Sequence, residues 1–170
     1  MTLKEQIVKW KNNKPRLMRE IGELVVNDAL KNFKDEAFEG QKWKPRKDGS
    51  STGDRGGRRN LLVKSGKLRR SIRVTKATAN SVSVGSDVPY AKIHNEGGVT
   101  NPKVTPRSRR FFWAMYKKTG NPRFKAMATT KQNSFRVNIP ARPFLKITPK
   151  LKEKIKAKIN ETIFKGFKVK

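Results

Sequence analysis

The sequence of 170 residues contains no cysteine and only one histidine. The absence of cysteine excludes disulfides, thiolate zinc sites and cysteine nucleophiles. No stretch approaches the roughly 20 consecutive apolar residues of a membrane-spanning helix, and the first ten residues lack the apolar run of a secretory signal peptide. We therefore expect a soluble, cytoplasmic protein.

Acidic residues are also scarce. Asp and Glu number 13 against 42 Lys and Arg, which gives a formal net charge of +29. Such an excess of positive charge predicts a polyanionic or acidic partner. The few carboxylates are scattered, and no pair of them has the sequence context of a two-metal nuclease or a glycosidase. We expect no enzymatic activity, no catalytic residues, no metal and no cofactor.

The N-terminal region has two predicted helices. Thr2 followed by Glu5 is typical of a capping box, and apolar residues at helical spacing then predict a first helix over residues 3–12. Pro15 is predicted to separate it from a longer second helix over residues 15–37, which carries a broad apolar face.

Short strands are predicted in the middle of the chain. Apolar and polar residues alternate around residues 72–75 and 81–84, with a reversal at 78–80, which predicts an antiparallel hairpin. A third strand is predicted over residues 135–139. Between them, Pro89 and Gly97 bound a predicted short helix over residues 90–96.

These elements predict an α+β fold, in which a small antiparallel sheet is packed by the long N-terminal helix and by a C-terminal helix that begins at Thr148-Pro149. The length fits a single domain over residues 1–170. A basic loop rich in glycine is predicted at 44–60, and an inserted lobe at 99–133. A helix that begins at Thr105-Pro106 and ends at Gly120 is predicted inside this lobe.

Basic and aromatic clusters are the candidate contact residues. The arginines and lysines predicted to contact DNA or an acidic partner are Arg46, Lys47, Arg55, Arg58, Arg59, Arg107, Arg109 and Arg110. The aromatic residues predicted to form a packing face or a protein interface are Phe111, Phe112, Trp113 and Tyr116. Stacking on nucleic-acid bases is the alternative for these aromatic residues.

The single histidine, His94, stands two residues before Glu96, a spacing that is found in zinc deaminases. That site also needs two downstream thiolates, which this sequence lacks. A nucleophile motif of the Gly-x-Ser-x-Gly type is absent as well. We therefore predict that His94 packs or forms hydrogen bonds at a crowded turn.

Several separated motifs occur in an order that resembles the phage virion morphogenesis family. They are Gly40-Gln-Lys-Trp43, the segment LLVKSGKLRRSI at 61–72, Val84-Gly85-Ser86, YAKIHNEGG at 90–98 and ARPFL at 141–145. The resemblance covers about residues 17–165, with 99–133 unmatched. The residues that carry this fold signature are Trp43, Leu62, Gly66, Leu68, Tyr90, His94, Gly97, Pro143 and Phe144.

The resemblance implies a non-enzymatic structural protein of a tailed-phage virion, assembled in the host cytoplasm. In this family we expect a homo-oligomeric ring that acts as a head–tail connector or tail-completion subunit at the neck or tail end. The implied partners are portal or connector proteins, tail terminator or tail tube proteins, and packaged DNA. Charge alone suggests an alternative, a free nucleic-acid-binding protein of ribosomal or nucleoid type.

Overall fold

A computed structural model describes residues 2–45 and 60–166, with only the backbone described at Leu3 and at 164–166. The described chain forms two compact units. The first unit comprises Met1–Glu96 and Ala141–Lys170, and the second comprises Gly97–Pro140. The second unit includes the segment predicted as an inserted lobe. The fold class is α+β, as predicted.

The first unit is built on one long helix, α1 (Leu3–Asp35). Thr2 and Glu5 form the predicted capping box, and Glu36 ends the helix in the left-handed conformation. The other elements of this unit are β1 (Ala37–Phe38), β2 (Gln41–Lys42), α2 (Lys67–Arg70), β3 (Arg73–Ala77), β4 (Val82–Gly85), α3 (Ala91–Glu96) and α6 (Pro149–Gly166).

The β3–β4 hairpin and α6 both pack against α1. Val74 pairs with Val84 in the hairpin, which confirms the alternation read from the sequence. Gly22 makes close packing of α1 on the hairpin feasible, because a Cβ atom there would lie 2.6 Å from the Val74 side chain and 2.7 Å from that of Val82. Real Cβ contacts are essentially never so short.

The core of the first unit lies around the C-terminal half of α1. Its buried members are Ala29, Phe33, Trp43, Leu68, Ile72, Val88 and Phe144. The Phe33 ring lies 4.9 Å from the Phe144 ring and 5.7 Å from the Trp43 ring, centroid to centroid. Residues from three separate stretches of sequence therefore meet at one aromatic cluster.

The second unit contains β5 (Gly98–Thr100), α4 (Pro106–Thr119), α5 (Pro122–Thr129) and β6 (Val137–Ile139). β5 and β6 pair antiparallel, and α4 packs against α5. α4 begins and ends as predicted: Thr105 caps its first turn and Gly120, with φ of 67°, ends it. The centroid of the Phe112 ring lies 6.5 Å from that of Phe124 and 5.6 Å from that of Phe135.

Two details of the predicted elements are wrong. The helix does not break at Pro15, which lies inside α1. A proline removes one backbone hydrogen bond and crowds the preceding turn, but the capping box stabilises the start of α1, and Lys9 and Asn13 line a groove with Glu161 and Thr162 of α6. The third strand also pairs with β5 and not with the hairpin, so the described strands form three two-stranded sheets.

Candidate assembly surfaces

Residues 141–145, which carry the ARPFL motif, are the most heavily anchored loop of the first unit. The Trp43 indole N–H donates to the Pro143 carbonyl at 2.9 Å. The Asn32 side-chain amide donates to the Phe144 carbonyl at 3.2 Å. Phe144 itself is 2% exposed. This loop is therefore bonded to α1 and to the segment after β2.

Asn95, at the end of α3, binds the same loop through its side chain. Its Oδ1 accepts from the backbone N–H groups of Phe144 and Leu145, at 2.9 and 3.0 Å. Its Nδ2 donates to the Leu145 carbonyl at 3.2 Å. One amide side chain thus satisfies three backbone groups, as a neighbouring strand would do. We call His94, Asn95 and residues 141–145 the signature corner.

Arg142 adds a buried cation to the signature corner. Its guanidinium donates twice to the Lys44 carbonyl, at 3.1 and 2.9 Å, and its backbone N–H donates to the His94 carbonyl at 2.9 Å. It is 8% exposed. Burial of a charge is unfavourable unless its donors are satisfied, and here backbone carbonyls accept them.

His94 is half-buried beside this cation. Its pKa is lowered from 6.5, first because burial disfavours the imidazolium and second because the Arg142 charge repels it. The Tyr90 ring lies edge-on at 5.8 Å. Within residues 2–45 and 60–166, no acceptor or donor contacts its buried Nδ1, and no group of His, Asp and Glu could hold a metal ion.

The remaining signature residues lie in the first unit or at its border. Trp43 and Leu68 are core residues, and Leu62 packs against that core with φ of 61°. Gly66 directly precedes α2 as its N-cap residue, with φ of 73°. Gly97, with φ of 77°, follows α3 directly. These glycines adopt a left-handed conformation that residues with a Cβ rarely take.

The basic residues predicted to contact DNA or an acidic partner differ in where they lie in the structure. Arg46, Lys47, Arg55, Arg58 and Arg59 lie outside the described residues. Arg107 and Arg110 are exposed on α4.

Arg109 has an internal role. Its Nη1 donates to the carbonyls of Ala128 and Thr130, at 3.0 and 2.6 Å. These carbonyls lie at the C-terminal end of α5, where helix carbonyls lack partners in the helix itself. Sequence reasoning grouped Arg109 with its exposed neighbours Arg107 and Arg110, but Arg109 caps the C-terminal end of α5.

The four aromatic residues of α4 separate in a similar way. Phe112 lies inside the second unit, whereas Phe111 is 57% exposed and Trp113 is 38% exposed. Tyr116 is half-buried, with its ring 6.0 Å from that of Trp113. Since residues two apart point to different sides of a helix, Phe111 and Trp113 belong to different surfaces.

Sequence reasoning missed Asn95 of the signature corner and Asn32 of α1, which donates to that corner. Asn is a weak helix former that competes for backbone hydrogen bonds, so an Asn on a predicted helix is a usable signal. In the described part of the chain, no helix is long and apolar enough to cross a membrane.

Comparison with known proteins gives one match. The model of the phage virion morphogenesis family matches residues 2–163. The match spans both units, including 99–133, which the sequence motifs left unmatched. No curated protein and no solved structure gives a significant match.

Proposed function

Because the chain belongs to the phage virion morphogenesis family and is therefore a phage virion assembly protein, we propose that it is a non-enzymatic ring subunit of the neck or tail end. It would be assembled in the host cytoplasm and become part of the virion. Its neighbours would be portal or connector proteins on one side and tail terminator or tail tube proteins on the other. The family match over 2–163 is the observation that carries this proposal.

The packing of the second unit supports a role in oligomerisation. Among residues 97–140, all of which the structure describes, Ala128 is the only buried hydrophobic residue. Large apolar side chains are instead exposed, including Val99 at 46% and Val137 at 40%. A unit that buries so little apolar surface by itself gains stability from contact with another surface.

The β5–β6 sheet offers two different apolar surfaces. Val99 pairs with Asn138 and Thr100 pairs with Val137. Side chains of directly paired residues share a face, and neighbouring residues alternate, so Val99 and Val137 point to opposite faces. A ring of identical subunits is heterologous and needs two complementary patches on each subunit. In the proposed ring, the opposite faces of this small sheet would be the two patches.

Ring formation is tested with purified full-length chain. We expect electron microscopy and mass measurement to show a closed ring. The double variant Val99→Lys and Val137→Lys should fold, because both positions are exposed. It should form smaller assemblies, because each lysine disrupts one apolar patch. The control, Ala77→Lys and Ala79→Lys on exposed positions of the β3–β4 hairpin, adds the same charge and should assemble normally. Equal assembly of both variants would contradict the sheet as the interface.

Position in the virion is tested separately, by electron microscopy of particles made with and without the chain. We expect density at the neck or tail end, and unjoined or non-infective particles when the chain is missing. A second candidate function is that of a free nucleic-acid-binding protein, and the net charge of +29 is the observation that supports it. That candidate predicts normal virions without the chain and recovery of the protein with cellular nucleic acid.

A further inference from the structure

The second unit contains no acidic residue. Its 44 residues include ten lysines and arginines and no Asp, Glu or His. The first unit differs, because some of its cations have nearby carboxylates: Lys158 lies 3.1 Å from Glu20, and Lys154 lies 3.7 Å from Asp28. Positive potential from the second unit is therefore not offset within that unit.

Four of these ten cations lie on one side of α4. With position 114 included, positions 107, 110, 114 and then 117 or 118 follow one another at the three- and four-residue spacing that aligns side chains along a helix. All four residues are exposed, as is Ala114 between them. The opposite side carries Phe112 and Met115, which are half-buried. We define the α4 basic face as Arg107, Arg110, Phe111, Ala114, Lys117 and Lys118.

We propose that the α4 basic face binds the phosphate backbone of double-stranded DNA without sequence preference. Duplex DNA carries one negative charge per about 1.7 Å of axis, so a row of exposed cations along a helix meets several phosphates at once. Arg109 takes no part, because its guanidinium is bonded to the end of α5. The proposal goes beyond the ring and does not depend on it.

The composition of the face favours nucleic acid over an acidic protein. Protein interfaces are depleted of lysine and have a central apolar core, whereas interfaces with DNA are more polar and much more positively charged. The α4 basic face has four cations and one large apolar side chain, Phe111. Its composition is that of a DNA-binding surface.

The same composition favours duplex over single strands. Proteins that bind single-stranded DNA or unpaired RNA stack successive bases on several aromatic side chains. Phe111 is the only aromatic residue of this face, and Trp113 belongs to another side of the helix. Charge alone then recognises the ligand, and charge alone suffices for duplex phosphates.

The experiment measures binding of full-length chain to a mixed-sequence DNA duplex by fluorescence anisotropy, from about 50 to 200 mM salt. The test variant changes Arg107, Arg110, Lys117 and Lys118 to Ala. The control variant changes Arg19, Arg69, Lys150 and Lys152 to Ala, four exposed cations of the first unit. Both variants keep the same net charge and the same numbers of arginines and lysines, so only location differs. Circular dichroism and thermal unfolding check that both are folded.

We expect the test variant to bind more weakly and to lose about 2 to 4 units of the slope of log affinity against log salt, since each phosphate contact contributes about 0.9. The control should lose clearly less. Equal losses in both variants, or no loss in the test variant, would overturn the proposal. If the test variant fails to fold, Lys117→Gln with Lys118→Gln replaces it, with an expected slope loss of about 1 to 2.

Two further ligands separate the alternatives. An equal loss of affinity for polyglutamate would make the face a site for acidic protein and overturn the proposal. The proposal is also overturned if two results occur together. Phe111→Ala would weaken binding of single-stranded DNA, and the test variant would bind the duplex as tightly as the unchanged chain. If the chain binds the duplex but forms no ring, the DNA-binding proposal is supported and the ring proposal is contradicted. The two proposals can therefore fail separately.

Discussion

The two units of the molecule differ in where their apolar and charged groups lie. Of the twelve buried hydrophobic residues in the described part of the chain, eleven belong to the first unit and one, Ala128, belongs to the second. The first unit pairs part of its positive charge with carboxylates, and the second has none to offer. Hydrophobic burial is the main favourable term in folding, so stability is concentrated in the first unit. The second unit instead exposes apolar and basic side chains.

The signature corner explains why the family motifs are far apart in sequence. Trp43, Asn95 and Phe144 meet at one place although about 50 residues separate each from the next along the chain. Their contacts hold the loop 141–145 against α1 and α3. The motif residues described in the first unit thus stabilise the fold of that unit.

The largest expected effect tests this contrast directly with two matched phenylalanines. Phe144→Ala should reduce the free energy of unfolding by about 3 to 5 kcal/mol, because it empties a fully buried core site beside the Phe33 ring. Phe112→Ala, in the half-buried cluster of the second unit, should cost about 1 to 2 kcal/mol. Denaturant unfolding of both variants measures the difference. Equal costs would remove the proposed contrast in stability.

The next largest effect concerns Asn95. Asn95→Ala should cost about 2 to 3 kcal/mol, since the backbone N–H groups of Phe144 and Leu145 lose their acceptor in a partly buried position. Asn138→Ala, at an exposed position of β6, is the control and should be nearly neutral. Hydrogen exchange should locate the Asn95 effect at the two named amides. Unchanged protection there would mean that the side chain does not hold the loop.

A smaller, local effect is expected at Arg109. Arg109→Ala should cost about 1 to 2 kcal/mol, because two carbonyls at the end of α5 lose a charged donor. Arg107→Ala removes the same charge from an exposed position and should change stability by less than about 0.5 kcal/mol. Thermal unfolding compares the two. If Arg107→Ala proved the more destabilising, the assignment of Arg109 as the capping residue would be wrong.

Elements that depend on neighbouring residues could be predicted from the sequence. The limits of α4 follow from Thr105-Pro106 and Gly120, and the hairpin follows from alternation around a polar reversal. α5 has the same kind of signal, because Asn121 caps it and Pro122 begins it, yet it is absent from the elements predicted from the sequence. In that case the information was local and was overlooked.

Other features could not be predicted because they depend on distant contacts. The continuity of α1 through Pro15 reflects the balance between a local penalty and packing with α6. β5 is three residues long and gains its identity only by pairing with β6, 37 residues further along the chain. Similarly, the ARPFL motif indicates a corner, but the amide of Asn95 that holds it is revealed only by the contacts.

The smallest expected effect is a pH dependence carried by His94. Its pKa is lower in the folded chain than its ordinary value of 6.5, so the unfolded state binds more protons as the pH falls. Stability should therefore be complete above about pH 6.5 and decline as the pH falls from 6.5 towards the lowered pKa. His94→Gln should remove this decline and leave the stability at pH 8 similar. Since His94 is the only histidine, melting temperatures of the two proteins between about pH 5.5 and 8 isolate it. An identical pH profile would show that the imidazole is not held neutral by its burial and by Arg142.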